Sequence, residues 1–230
     1  MNNLKRILLV LTAAAMTLSF CACSEDETTE SVSGTSAAES TEADTEDATE
    51  AETEQATIQA PIPQEYDGTE VPDAAAQVIS DYFTAIMNQD YNAYKACLDP
   101  YYFEVYNSWL DGSFGYGMET SFEGVHQNVM NAAVSANGEQ AVTDIAVTKL
   151  VLAENQPDEG EEMDDIIDSY LAMYDNAIGE GFTEEIRAQC DDIITVKFTM
   201  FADCDGKELE IMTEMEMIMT VYGDEYKVIG

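Results

Sequence analysis

From Ile194 onward, Ile194, Val196, Phe198 and Met200 alternate with Thr195, Lys197 and Thr199. A period of two sends each set to its own face of a strand. Asp203-Cys204-Asp205-Gly206 supplies a turn. Leu209, Ile211, Met215, Met217, Met219 and Val221 then alternate mainly with Glu210, Glu214 and Glu216, and Gly223-Asp224 turns the chain into Glu225–Ile229. The pattern specifies an antiparallel meander with one wet and one buried face. The buried face needs a cover from elsewhere in the chain.

That cover lies upstream. Val78, Ile79, Tyr82, Phe83, Ile86 and Met87 recur at helical spacing after Pro72 and Asp73. Asp90 is placed to cap a short second helix carrying Tyr91, Tyr94 and Leu98. Asp99-Pro100 reads as N-cap and first residue of a third, with Phe103, Tyr106, Trp109 and Leu110 on one face. A glycine-rich loop at 111–117 separates it from a fourth, marked by Met118, Phe122, Val125, Val129 and Ala133. Residues 141–152 read as a strand. Met163, Ile166, Ile167, Tyr170, Leu171, Tyr174 and Ile178 mark a late helix, and Thr183 is placed to cap a last turn. The expected class is α+β, with N-terminal helices packed on a curved antiparallel sheet that ends in a C-terminal meander.

The first sixty residues read differently. Lys5 and Arg6 precede an apolar run, Ile7 to Phe20, too short for a ~20-residue membrane span and suited to a secretory leader. It ends in Ser19-Phe20-Cys21-Ala22-Cys23-Ser24, which resembles a bacterial lipoprotein signal. Cys23, preceded by small Ala22, fits lipidation better than Cys21, preceded by Phe20. Residues 24–60 hold 12 acidic residues, 13 Ser or Thr, and no basic or aromatic side chain. Such a stretch buries too little apolar surface to offset its ordering entropy. The expected organisation is a lipoprotein signal peptide over 1–22, a disordered acidic tether over 23–70 and one α+β domain over 71–230.

With 47 acidic against 8 basic side chains, the net charge is −39. Nucleic-acid binding, which runs on phosphate neutralisation by Lys and Arg, is not expected. The expected partners are a membrane, through the lipid anchor, and a neutral or cationic protein or small apolar ligand.

Catalytic signals are sparse. The chain has one histidine, His126, and no Gly-rich phosphate loop, GxSxG or HExxH. The spacing of Cys97, Cys190 and Cys204 gives no metal or redox motif. A Cys190–Cys204 bridge is excluded if the strand between them forms, since ~45 Å would separate ends that must lie within ~7 Å. Cys97 with either stays open. The acidic clusters at 158–165 and 203–205 lack a calcium-loop spacing and read as solvated surface. No cofactor or metal is expected. Asp144 is the one acid that alternation could place beside apolar neighbours, where burial would raise its pKa.

Helices first, then a curved antiparallel sheet with a late helix between strands, resembles the nuclear transport factor 2-like (cystatin-like) superfamily. VISDYFTAIMNQDYNAYKACLDP is similar to that superfamily's first helix pair. Tethered lipoproteins of Gram-positive anaerobes often carry such domains. The resemblance implies a cone-shaped fold with a pocket open at one end, and Tyr82, Tyr106, Trp109, Met215 and Met217 are its candidate lining. The reading that follows is a non-catalytic binding or accessory module. A pocket enzyme of the same superfamily is the alternative. A homodimer-forming envelope protein is the third reading, in which Met212, Ile218 and Thr220 would lie on the sheet's open face.

Overall fold

The computed structural model describes residues 59–67, 71–157, 160 and 162–230. The expected leader, Cys23, the tether up to residue 58, and Asp158, Glu159 and Glu161 of the acidic loop lie outside them.

The helices form where apolar spacing and caps placed them. They are α1 (Asp73–Met87), α2 (Tyr91–Cys97), α3 (Pro100–Phe114), α4 (Met118–Ala136), α5 (Met163–Ile178) and α6 (Phe182–Gln189). Asp90 accepts the Ala93 amide at 3.0 Å and Asp99 the Tyr102 amide at 2.9 Å, so both predicted N-caps are real. Along α1, Ala75, Ala76, Ile79 and Ile86 are fully buried. Gly117 starts α4 where a Cβ would meet the Asn107 Oδ1 at 2.7 Å, and that oxygen accepts the Met118 amide. Thr183 does not cap α6. The Asp175 carboxylate of α5 reaches forward instead and accepts the Gly181 and Thr183 amides, each at 3.1 Å.

The strands are β1 (Gln64–Tyr66), β2 (Ile145–Glu154), β3 (Asp192–Cys204), β4 (Lys207–Tyr222) and β5 (Glu225–Ile229). They lie in sequence order in one sheet. β2 through β5 pair antiparallel, as the alternation requires. Asp205 and Gly206 take positive φ values of 53° and 82°, the backbone of a two-residue hairpin turn. The predicted strand over 141–152 begins at Ile145, because the backbone of 143–144 is held by Asp205 instead.

The sheet is mixed, not wholly antiparallel. β1 runs parallel to β2, and it belongs to the stretch expected as tether. Residues 59–67 are drawn into the domain by backbone-like contacts. The Gln59 side chain accepts the Val147 amide at 2.9 Å and donates to the Val147 carbonyl at 3.0 Å. Asn88, just past α1, accepts the Gln59 amide and donates to its carbonyl. Ser80 of α1 donates to the carbonyl of buried Ile62 at 2.8 Å. A carboxamide thus does the work of a ladder where β1 has not yet begun, which covers part of the edge of β2.

Register assigns the faces. Phe198 opposes Met215, Val196 opposes Met217 and Ile194 opposes Met219, forming one core face on which Phe83 of α1 rests with rings 5.0 Å apart. One extra residue makes a bulge in β4, where Thr213 and Glu214 together face Thr199 between Met215 and Met212, so that Met212 opposes Met200 on this core face. The other face is partly exposed at the β1–β2 side, where Lys149 meets Glu65 at 3.0 Å, and at mid-sheet, where half-buried Lys197 opposes half-buried Glu216. At the β5 side, Ile193, Thr195, Ile218 and Thr220 are buried. Ile218 and Thr220 are therefore covered within one chain and cannot serve the exposed dimer face that sequence suggested.

One buried acid joins the layers. Asp99, fully buried, caps α3 through one oxygen, while its other oxygen accepts the hydroxyls of Thr220 at 2.8 Å and Tyr222 at 2.6 Å. Its amide donates to the Val228 carbonyl at 2.9 Å, beside the bridge between Leu98 and Val228. Asp99→Ala leaves an uncapped helix, takes the Asp99 acceptor from the Tyr222 hydroxyl and leaves the Thr220 hydroxyl only its longer contact to the Lys227 carbonyl at 3.4 Å, and the expected cost is about 2–4 kcal/mol. Urea unfolding checks this as a lowered midpoint at unchanged slope; a loss under about 0.5 kcal/mol contradicts the role.

Candidate functional site

The tyrosines predicted to line a pocket instead build an aromatic seam of two ring clusters. Tyr82 packs against Phe83 and Tyr94, each with ring centroids 5.1 Å away, and Tyr94 continues to Phe122 at 4.6 Å. Tyr102 stacks on Tyr106 at 5.3 Å, Tyr106 on Trp109 at 5.3 Å, and Trp109 meets the edge of Phe114. Tyr174 and Phe182 join the seam at Tyr102. Tyr82 and Met217 are buried in the core, Met215 is half-buried opposite Phe198, and Tyr106 and Trp109 are half-buried along α3. The candidate lining is thus split between the core face of the sheet and the α3 ring stack.

Burial holds the seam's hydroxyls protonated. It pushes Tyr82, Tyr94, Tyr102 and Tyr174 above the ordinary 10.0, with neighbouring tyrosines adding to the rise at Tyr94, Tyr102 and Tyr174. The Tyr174 hydroxyl lies against the backbone of residues 229–230 although part of the residue stays at the surface.

The remaining sequence candidates are dispersed. Asp144 is exposed, outside β2, so alternation did not place it among apolar neighbours; its amide donates to Asp205. Hydrogen bonds from Thr143 and the 143–144 amides hold the Asp205 carboxyl below the usual range. Asp203 accepts the Gly206 amide at 2.7 Å. Among the described residues no three His, Cys, Asp or Glu side chains gather as metal ligands. His126 is half-buried on α4, and burial lowers its pKa. Cys97, Cys190 and Cys204 are unpaired. Burial, with Asp81 adding, pushes the Cys97 thiol up to about 11, away from nucleophilic use at neutral pH. The buried carboxyl that an enzyme reading would want is Asp99, and its oxygens are committed to three protein donors.

Sequence reasoning missed a groove of about 630 Å³ on the outer side of the α2–α3 corner. It falls within the size range of small-molecule sites. Leu98, Pro100 and Phe103 give it an apolar wall; Asn92, Lys95 and Lys227 give it donors, and Glu104 is its one acid. The Lys95 ammonium sits 4.2 Å from the Phe103 ring centroid, a cation–π contact. The Lys227 ammonium donates to the Ala96 carbonyl at 2.7 Å. Lys227 lies on β5 and the rest on α2, α3 and their junction, so the groove exists only because Leu98 and Asp99 dock on Val228. No family model, curated protein or solved structure matches the chain.

The seam makes a pH prediction. Between pH 10 and the raised native values, the unfolded chain releases protons that the folded chain keeps. Stability is therefore full below pH 10 and declines as pH rises above it. Absorbance at 295 nm and circular dichroism, followed together, should show four tyrosines ionising only as the fold is lost. Ionisation of all tyrosines near pH 10 with the fold intact contradicts this.

Proposed function

We propose that the protein is a membrane-tethered, extracytoplasmic lipoprotein whose α+β domain binds a ligand without catalysing a reaction. The leader and Ala22-Cys23 support the anchor, and the composition of residues 24–57 supports a solvated tether. The order of helices, sheet and late helix supports a nuclear transport factor 2-like domain. The observation that carries the binding reading is the α2–α3 groove. It is concave, ligand-sized and walled by two helices and a strand end. A domain on a charged tether can present such a groove away from a membrane.

Two measurements check the parts separately. Cell fractionation should place the wild-type chain in the membrane fraction with a lipid-shifted mass. Cys23→Ala should abolish that shift; an unmodified, soluble wild-type chain contradicts the anchor. Native mass spectrometry of the full chain from its own secretion route should show an added mass that Ser108→Trp, which fills the groove, removes. An added mass untouched by Ser108→Trp contradicts the groove as the site.

A further inference from the structure

We infer that the α2–α3 groove selects a small organic monoanion, a carboxylate carried on an apolar or aromatic body; this rests on the groove being the binding site. The argument begins with scarcity. The described residues contain six basic side chains: Lys95, Lys149, Arg187, Lys197, Lys207 and Lys227. Lys149 is spent on Glu65 and Arg187 on Asp168. Lys95 and Lys227 share one groove, and among the described residues neither forms an ion pair with a carboxylate. In a chain with 47 acidic residues, two ammonium groups left for one concavity form a local anion site.

Their present contacts prepare them for it. Lys227 is oriented by a neutral carbonyl, which uses one of its three donors. Lys95 rests on the Phe103 face, which positions its charge without neutralising it. Phe103, Leu98 and Pro100 offer the apolar body a wall, and Asn92 adds an amide donor at the rim.

The charge of the ligand follows from the surroundings. A lysine ammonium is a point charge and does not itself distinguish carboxylate from phosphate. The net charge of −39 does, because an anion enters against the field of the whole chain and a dianion meets about twice the repulsion. Glu104 at the groove adds to it. One negative charge matched by two ammonium groups is the favoured balance. An uncharged analogue leaves both lysines without an anionic partner.

The test uses the full chain in lipid nanodiscs with its lysines labelled at the 13Cε position. Benzoate, benzamide and phenyl phosphate are titrated in turn, with signals assigned by Lys95→Gln and Lys227→Gln. Benzoate should shift the Lys95 and Lys227 signals saturably and leave Lys149, Lys197 and Lys207 in place. Each Lys→Gln change should weaken benzoate about 3–10-fold, whereas Lys197→Gln should not. Benzamide should bind at least about tenfold more weakly. Equal shifts with benzamide overturn the anion preference and leave the binding reading standing. Tighter binding of phenyl phosphate overturns the monoanion preference alone. Shifts spread over all lysines mean unspecific ion pairing and overturn the site. No shift with any of the three overturns the ligand class; the mass added in native mass spectrometry, and its loss in Ser108→Trp, then decides the binding reading separately.

Discussion

Asp99 is where this molecule is held together. A fully buried carboxyl is tolerable only when its lone pairs are satisfied, and here each oxygen has a donor. The donors come from the first turn of α3 and from the far end of β4, so one side chain fixes the α2–α3 corner against the sheet. Leu98 and the Asp99 amide extend that attachment to β5. Bonds of this kind give modest net stability when made and a larger cost when broken. Their structural effect is to set the position of two helices relative to a strand edge.

Much else follows from that attachment. It brings Lys227 of β5 beside α2 and turns Phe103 and Lys95 toward the same concavity. It also seats Tyr102 where Tyr106, Tyr174 and Phe182 can pack around it. The aromatic seam then fills the space between helices with rings that stack, tilt or meet edge to face at the centroid separations aromatic pairs favour. The volume a cone-shaped fold could have left for a ligand is, along this seam, occupied by side chains. The concavity described here lies on the outside of the corner.

The local physics of the fold was legible in the sequence. Asp90, Asp99-Pro100 and the Asp205-Gly206 turn act through neighbours within a few residues, and period-two alternation marks β3 and β4 unaided. What was illegible depends on partners far along the chain. β1 has three residues and no alternation to read; it exists because β2 offers an edge and because Gln59 and Asn88 supply ladder contacts. The second buried face around Ile218 and Thr220 was hidden because glutamates flank it in sequence. The bulge at 213–214 returned Met212 to the core face, which a strict alternation cannot foresee. Thr183 has the chemistry of a cap, yet Asp175 took the role from the end of the preceding helix. For the site, the residue types were visible but not their assembly. Lys95 and Lys227 are separated by most of the domain, and no spacing rule joins them. Asp99 was recognised as a cap, but its ties to Thr220 and Tyr222 span more than a hundred residues.

Native-state hydrogen exchange tests the central claim most directly, since it resolves which units open together. If Asp99 locks the corner to the sheet, the amides of Asp99 and Tyr102 exchange with the same opening free energy as the β3–β4 core. The contradicting result is a corner whose amides exchange through a low-energy local opening while β3 and β4 stay protected.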